Sequence, residues 1–156
     1  MSNWRTAAAD IVDSYSRISQ RLADYPDGMF FCAKALARAV RDRDELPSWA
    51  FVTLGVEACH HLRSIGAWNQ DEFIDLLCSK QADYGHDNIN AFGLTGVAVR
   101  INDKMARLHN LINKAGDPRN ETLVDTWHDI VGYSVIAQML YNNTFDLPLR
   151  EDYHND

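Results

Sequence analysis

Long apolar runs are missing from this chain. Nowhere do about 18 apolar residues follow one another, the length a membrane-crossing helix needs, so no membrane partner is expected. The opening stretch MSNWRTAAADIVDSY likewise lacks a basic segment followed by an apolar run, and no secretion signal is expected there. Cysteine pairs are absent too: Cys32, Cys59 and Cys78 are odd in number and show no CxxC spacing, so they read as reduced, buried thiols of a cytoplasmic protein. Positive charge is scarce, with 15 Lys and Arg against 22 Asp and Glu for a net charge of −7. Neutralising a phosphate backbone takes a surplus of cations, so a nucleic acid polymer is not an expected partner, while a local basic cluster stays open. Strand-like alternation of Val, Ile and Thr is missing, as are internal repeats and low-complexity segments.

What remains is a single all-α domain over residues 1–156, with 46% apolar and 24% charged residues, enough to bury one core. The apolar period of about 3.6 predicts a bundle of six helices. A first helix runs over 3–24 and stops at YPDG; a second runs from Met29 to Arg43; a third, after Pro47 with Ser48 as N-cap candidate, runs to Ile65. Asn69 caps a fourth, QDEFIDLLCSKQADY, whose Phe73, Ile74, Leu76, Leu77 and Cys78 form its apolar side. A loop follows from Gly85 to Gly96. The fifth helix starts near Val97 and ends at KAGDP, with Ile101, Met105, Leu108 and Ile112 as one buried stripe. Asn120 caps the sixth, ETLVDTWHDIVGYSVIAQMLYNN, with Leu123, Trp127, Ile130, Val131 and Val135 on its core side, and the tail TFDLPLREDYHND reads as an irregular extension.

Two charged strips stand out. On the sixth helix Glu121, Asp125 and Asp129 recur every four residues and stack along one face, where like charges repel by a few tenths of a kcal/mol. A divalent cation such as Mg²⁺, which takes carboxylate oxygens and fills its remaining positions with water and phosphates, removes that penalty. The positive N-terminal end of the helix is an alternative reason for the first two acids. On the fifth helix Arg100, Asp103, Lys104 and Arg107 lie opposite the apolar stripe. Facing water they form a solvated face with a weak ion pair. Facing the acids of the sixth helix, Asp103 joins the metal while Lys104 and Arg107 hold phosphate oxygens, a task that suits the planar arginine fork.

VRINDKMARLHNL followed by ETLVDTWHDIVGYSVIA resembles the all-α nucleoside triphosphate pyrophosphohydrolase group, the MazG-like and phage dUTPase-like proteins. A DYG segment, an R..DK..RL helix and a D...D...Y helix in this order are most similar to the phage-associated nucleotide modification associated domain 1 family. The resemblance covers roughly residues 75–140, leaving the helices of 1–68 as additional. It implies a MazG-like bundle that binds Mg²⁺ or Mn²⁺ and cleaves a (deoxy)nucleoside triphosphate into monophosphate and pyrophosphate, in phage-type nucleotide pool or modified-base metabolism. Asp103, Asp125 and Asp129 would then be catalytic metal ligands, with Glu121 a possible fourth, and Arg100, Lys104 and Arg107 would neutralise the phosphates. In the loop DYGHDNIN, Tyr84 would stack on the base, Asn88 or Asn90 would bond its edge, and Lys80 would be a further phosphate contact. The resemblance also implies a homodimer or larger homo-oligomer, for which Trp4, Ile11, Tyr15, Ile18 and Leu22 on the first helix offer an apolar stripe, unless they cap the chain's own core.

The better-known members carry paired glutamates, ExxE and then ExxD, where this chain has Asp103 alone and then Asp125 four residues before Asp129. That shortened pattern favours an alternative of another class, a non-catalytic helical module that binds a nucleotide or a protein. Glu57-Ala-Cys-His60 and Asp125-Thr-Trp-His128 also resemble the half-sites of a di-iron carboxylate bundle, while His60 and His61 equally suit a helix C-terminus. His86-Asp87 is an isolated HD dipeptide, and no GxxxxGK, GxSxG or HExxH pattern is present.

Overall fold

The computed structural model of the protein describes residues 2–20, 26–112 and 122–149. Among them the chain forms seven helices and no strand, which bears out the all-α expectation. α1 spans Trp4–Ser19, α2 Pro26–Asp42, α3 Ser48–Ser64, α4 Gln70–Tyr84, α5 Asp87–Asn90, α6 Gly93–Ile112 and α7 Leu123–Tyr141. No described helix is long and apolar enough to cross a membrane.

Helix starts follow the need to give the first amides a partner. Asn69 caps α4 as expected, accepting from Glu72 N at 3.1 Å. Ser48 does not cap α3: the extended Pro47 takes that position without a side-chain bond, and Ser48 is the first helical residue. Thr122 caps α7, accepting from Asp125 N at 3.0 Å, whereas the expected cap Asn120 lies outside the described residues. α1 ends at Ser19, before the expected 24, and positions 21–25 also lie outside.

The segment from Gly85 to Gly96 is more helical than a loop. Gly85, at φ 69°, ends α4 in a backbone region that favours glycine; one turn of helix, α5, follows; then Gly93, at φ 58°, redirects the chain into α6 four residues earlier than Val97. The two turns match the glycine signals, but the residues between them are long enough for a helical turn of their own.

α7 is the central element. From Ile130 to Ala137 it is buried almost all round, with α3 and then α6 as its most extensive partners. Such a helix has no polar face, which is the pattern of one enclosed on every side. α3 comes so close at Gly55 that a Cβ there would lie 2.7 Å from Tyr15 Cε2 and 2.7 Å from Ser134 Cβ, and closer still to Ser134 Oγ. Of the α6 stripe, Ile101, Met105 and Leu108 are buried, but Ile112 is 59% exposed. On α4 Leu76 is 46% exposed rather than part of the core.

Trp4 and Tyr15 of the first-helix stripe are buried inside the chain's own core, Ile11 is half-buried, Ile18 is exposed, and Leu22 lies outside the described residues. The face expected to close a dimer is thus largely used within one chain. The described part of the tail, residues 144–149, is irregular, as expected, yet it is packed: Phe145 and Leu149 are buried, and the Trp4 and Arg5 amides donate to the carbonyls of Pro148 (2.8 Å) and Leu149 (3.4 Å), while the rest of the expected tail lies outside the described residues. Thr6 N donates to Asn3 Oδ1 and Ala7 N to Asn3 O, so all four leading amides of α1 have partners.

Candidate functional site

Phe73, Leu76, Leu77, Lys80 and Tyr84 of α4 repeat at helical spacing, and so do Asp129, Gly132, Tyr133 and Ile136 of α7. Both rows line one cavity of about 450 Å³. α4 packs against α1 rather than closely against α7, which leaves room between the two rows. Gly132 widens it further, since a Cβ there would already meet Leu77 Cδ1 at 3.4 Å. Asn88 of α5, Arg100 of α6 and Trp4 of α1 complete the polar and aromatic parts of the wall. The volume falls inside the roughly 300–1,000 Å³ of small-molecule sites.

Its electrostatic centre is Asp129. Lys80 Nζ of α4 lies 3.2 Å from Asp129 Oδ1, and Lys104 Nζ of α6 lies 2.8 Å from Oδ2. Burial pushes this carboxyl up, but the Lys104 hydrogen bond and the charges of Lys80 and Lys104 outweigh burial and hold its pKa below the ordinary carboxylate value. Asp129 therefore stays ionised at neutral pH. It is the one acid on the cavity wall among the described residues, beside Lys80 and Arg100.

The aromatic side is contributed by Tyr84, 69% exposed at the rim, and by His128, whose ring stacks over Phe73 at 6.0 Å and over Trp68 at 6.4 Å. Two buried polar atoms on wall residues have no hydrogen-bond partner, the donor Trp4 Nε1 and the acceptor Asn88 Oδ1. Buried groups of this kind cost about 1–3 kcal/mol when left unpaired.

Of the residues singled out in the sequence, Lys80, Tyr84, Asn88, Arg100 and Asp129 meet in the cavity, and Lys104 joins them through Asp129. Others do not. Arg107 Nε donates to Thr126 Oγ1 at 3.2 Å, tying α6 to the first turn of α7. Asn90 Nδ2 donates to Asp146 Oδ1 at 2.6 Å, tying α5 to the tail. Asp103 and Asp125 are exposed and absent from the wall, and Glu121 lies outside the described residues. Asp125 sits in the first turn of α7, where a negative charge is favoured.

These acids do not fit a ready-made divalent-cation site: among the described residues no three of His, Cys, Asp and Glu come together, and both Asp129 oxygens face ammonium groups. The same holds for the di-iron pattern. His60 Nδ1 lies 3.0 Å from Ser19 O on the α1 side of α3, and His128 stacks on aromatic rings. His86 bonds the Gln81 side chain at 2.8 Å.

Trp4 escaped the sequence reading as a wall residue because nothing local marks a contact between the first and last parts of a chain. Gly132, Tyr133 and Ile136 were within reach, since they share the α7 face of Asp129 at spacings of three, four and seven. Compared with known families, with characterised proteins and with solved structures, the chain has no match.

Proposed function

We propose that the cavity binds a nucleotide, with Lys80, Lys104 and Arg100 toward its phosphates, Tyr84 against its base and Asn88 at the base edge. The observation that carries this reading is the convergence of Lys80 and Lys104, from separate helices, on one carboxylate in the wall of a nucleotide-sized cavity. Lys80 and Arg100 line the cavity against the single acid Asp129, which makes its wall locally positive on a chain of net charge −7. That wall selects an anion. Tyr84 supplies an aromatic face of the kind on which any base stacks, worth about 1–3 kcal/mol.

Hydrolysis of the nucleotide is a second reading. It is favoured by the packing of α6 on α7, the two helices whose charged strips carry the resemblance to pyrophosphohydrolases. The donor set does not fit a preformed Mg²⁺ or Mn²⁺ site, and no step is derived through one.

Titration calorimetry of the intact chain with deoxynucleoside and ribonucleoside triphosphates, with chelator and then with Mg²⁺, separates the readings. The binding reading expects saturable uptake with chelator present and no pyrophosphate release. Pyrophosphate release only with Mg²⁺ selects the hydrolase. Absence of both uptake and release across all nucleotides removes the cavity as a nucleotide site.

A further inference from the structure

We propose that Asp129 is an internal counter-anion: it holds the ammonium groups of Lys80 and Lys104 in the place that a phosphate of the ligand takes, and the phosphate is recognised there without a divalent cation. Each carboxylate oxygen meets a different ammonium group, at 3.2 Å and 2.8 Å, much as two oxygens of a phosphate would. Two lysines from α4 and α6 pointing at one spot repel each other unless an anion lies between them. Asp129 supplies that anion from α7, so the cavity wall is stable while empty. Arg100 lines the same cavity and has no anionic partner among the described residues, so the wall keeps spare positive charge even with Asp129 ionised.

The exchange is physically open. The Lys80 side chain is 51% exposed and unbranched, so it can leave Asp129 for a phosphate oxygen without moving α4. A phosphate carrying up to two charges competes well against one carboxylate for the same ammonium groups. Asp129 then both positions the lysines and weakens binding, because its charge faces the incoming anion.

The inference rests on the cavity being the ligand site proposed above, and its test keeps the two apart. Pyrophosphate and a deoxynucleoside triphosphate are titrated, with chelator present, into the intact chain, Asp129→Asn and Lys80→Met. Removing the competing charge at constant size is expected to tighten pyrophosphate binding by about tenfold, and removing one ammonium group to weaken it by about tenfold. Thermal unfolding checks that the variants are folded. Should Asp129→Asn fail to fold, Lys80→Met decides: a tenfold loss supports the exchange, and an unchanged affinity overturns it. Weaker binding by folded Asp129→Asn, or, in a repeat of the titrations with Mg²⁺ in place of chelator, binding that appears only then, overturns the counter-anion role and leaves the nucleotide site standing. If pyrophosphate follows the expected pattern but the nucleotide binds no tighter, the nucleotide reading falls and the anion site stays. No binding of either probe by any of the three proteins overturns both.

Discussion

At residue 55 a single methyl group has nowhere to go. Its Cβ would press on the Tyr15 ring and on Ser134, both buried and both fixed by neighbours, so α3 and α7 would have to part. Gly55→Ala is expected to cost about 1–3 kcal/mol, as overpacking of a full core does. Gly28→Ala provides the contrast, because a Cβ there meets nothing within 4 Å inside α2, and the change should stabilise by about 0.5–1 kcal/mol. Chemical denaturation of the two variants reads both signs. Equal midpoints would show that the α3–α7 approach is looser than described.

Tyr15 gives the same junction a pH dependence. Burial raises the phenol to about 12, offset in part by the Ser134 hydrogen bond. The folded chain keeps this proton to about 12 while the unfolded chain releases it near 10. The contribution is therefore whole below pH 10 and is lost as pH rises toward 12. Its size is on the order of 2–3 kcal/mol. Alkaline unfolding should begin near pH 10, and Tyr15→Phe should flatten the curve in that window. An identical slope in the variant would assign the alkaline transition to other groups.

Among elements, the tail after α7 has more consequence than its irregular sequence suggests. Phe145 meets Trp4 edge to face at 6.3 Å, and the carbonyls beyond it take the Trp4 and Arg5 amides. Phe145→Ala should cost about 3–5 kcal/mol, the range for a buried aromatic. It should also weaken ligand binding, since Trp4 lines the cavity. A variant with unchanged denaturation midpoint would mean that the tail rests on the bundle without supporting it.

The helices themselves were legible because their signals are local. Asn69 before an acidic turn, Gly85 after it and the spacing of Ile101, Met105 and Leu108 each predict what the structure shows. The one-turn α5 and the buried tail were not legible. Phe145 and Leu149 follow no period, and their burial depends on a groove that another part of the chain provides. Leu76 and Ile112 are the opposite case: both fit the period yet are exposed, Leu76 on the cavity wall.

For the molecule as a whole, the candidate site was legible as a set of residue types rather than as a geometry. Lys80, Tyr84, Asn88, Arg100 and Asp129 are brought together, and Lys104 with them. Spacing along α7 makes Asp125 and Asp129 look equivalent. The neighbouring helices distinguish them, because only Asp129 turns toward the lysines of α4 and α6 while Asp125 stays at an exposed first turn. A one-dimensional period cannot carry that difference.

The bond from the Trp4 amide to the Pro148 carbonyl spans nearly the full described length of the chain. During synthesis, helices α2 to α7 can dock as they emerge, but the start of α1 lacks its final partners until residue 149 has been made. Since Trp4 is part of the cavity wall, the growing chain has no finished cavity to offer a ligand before then. Contacts so distant in sequence form late and slow folding. A ligand of the kind proposed would therefore meet a finished cavity wall only after Trp4 has joined the segment around Pro148.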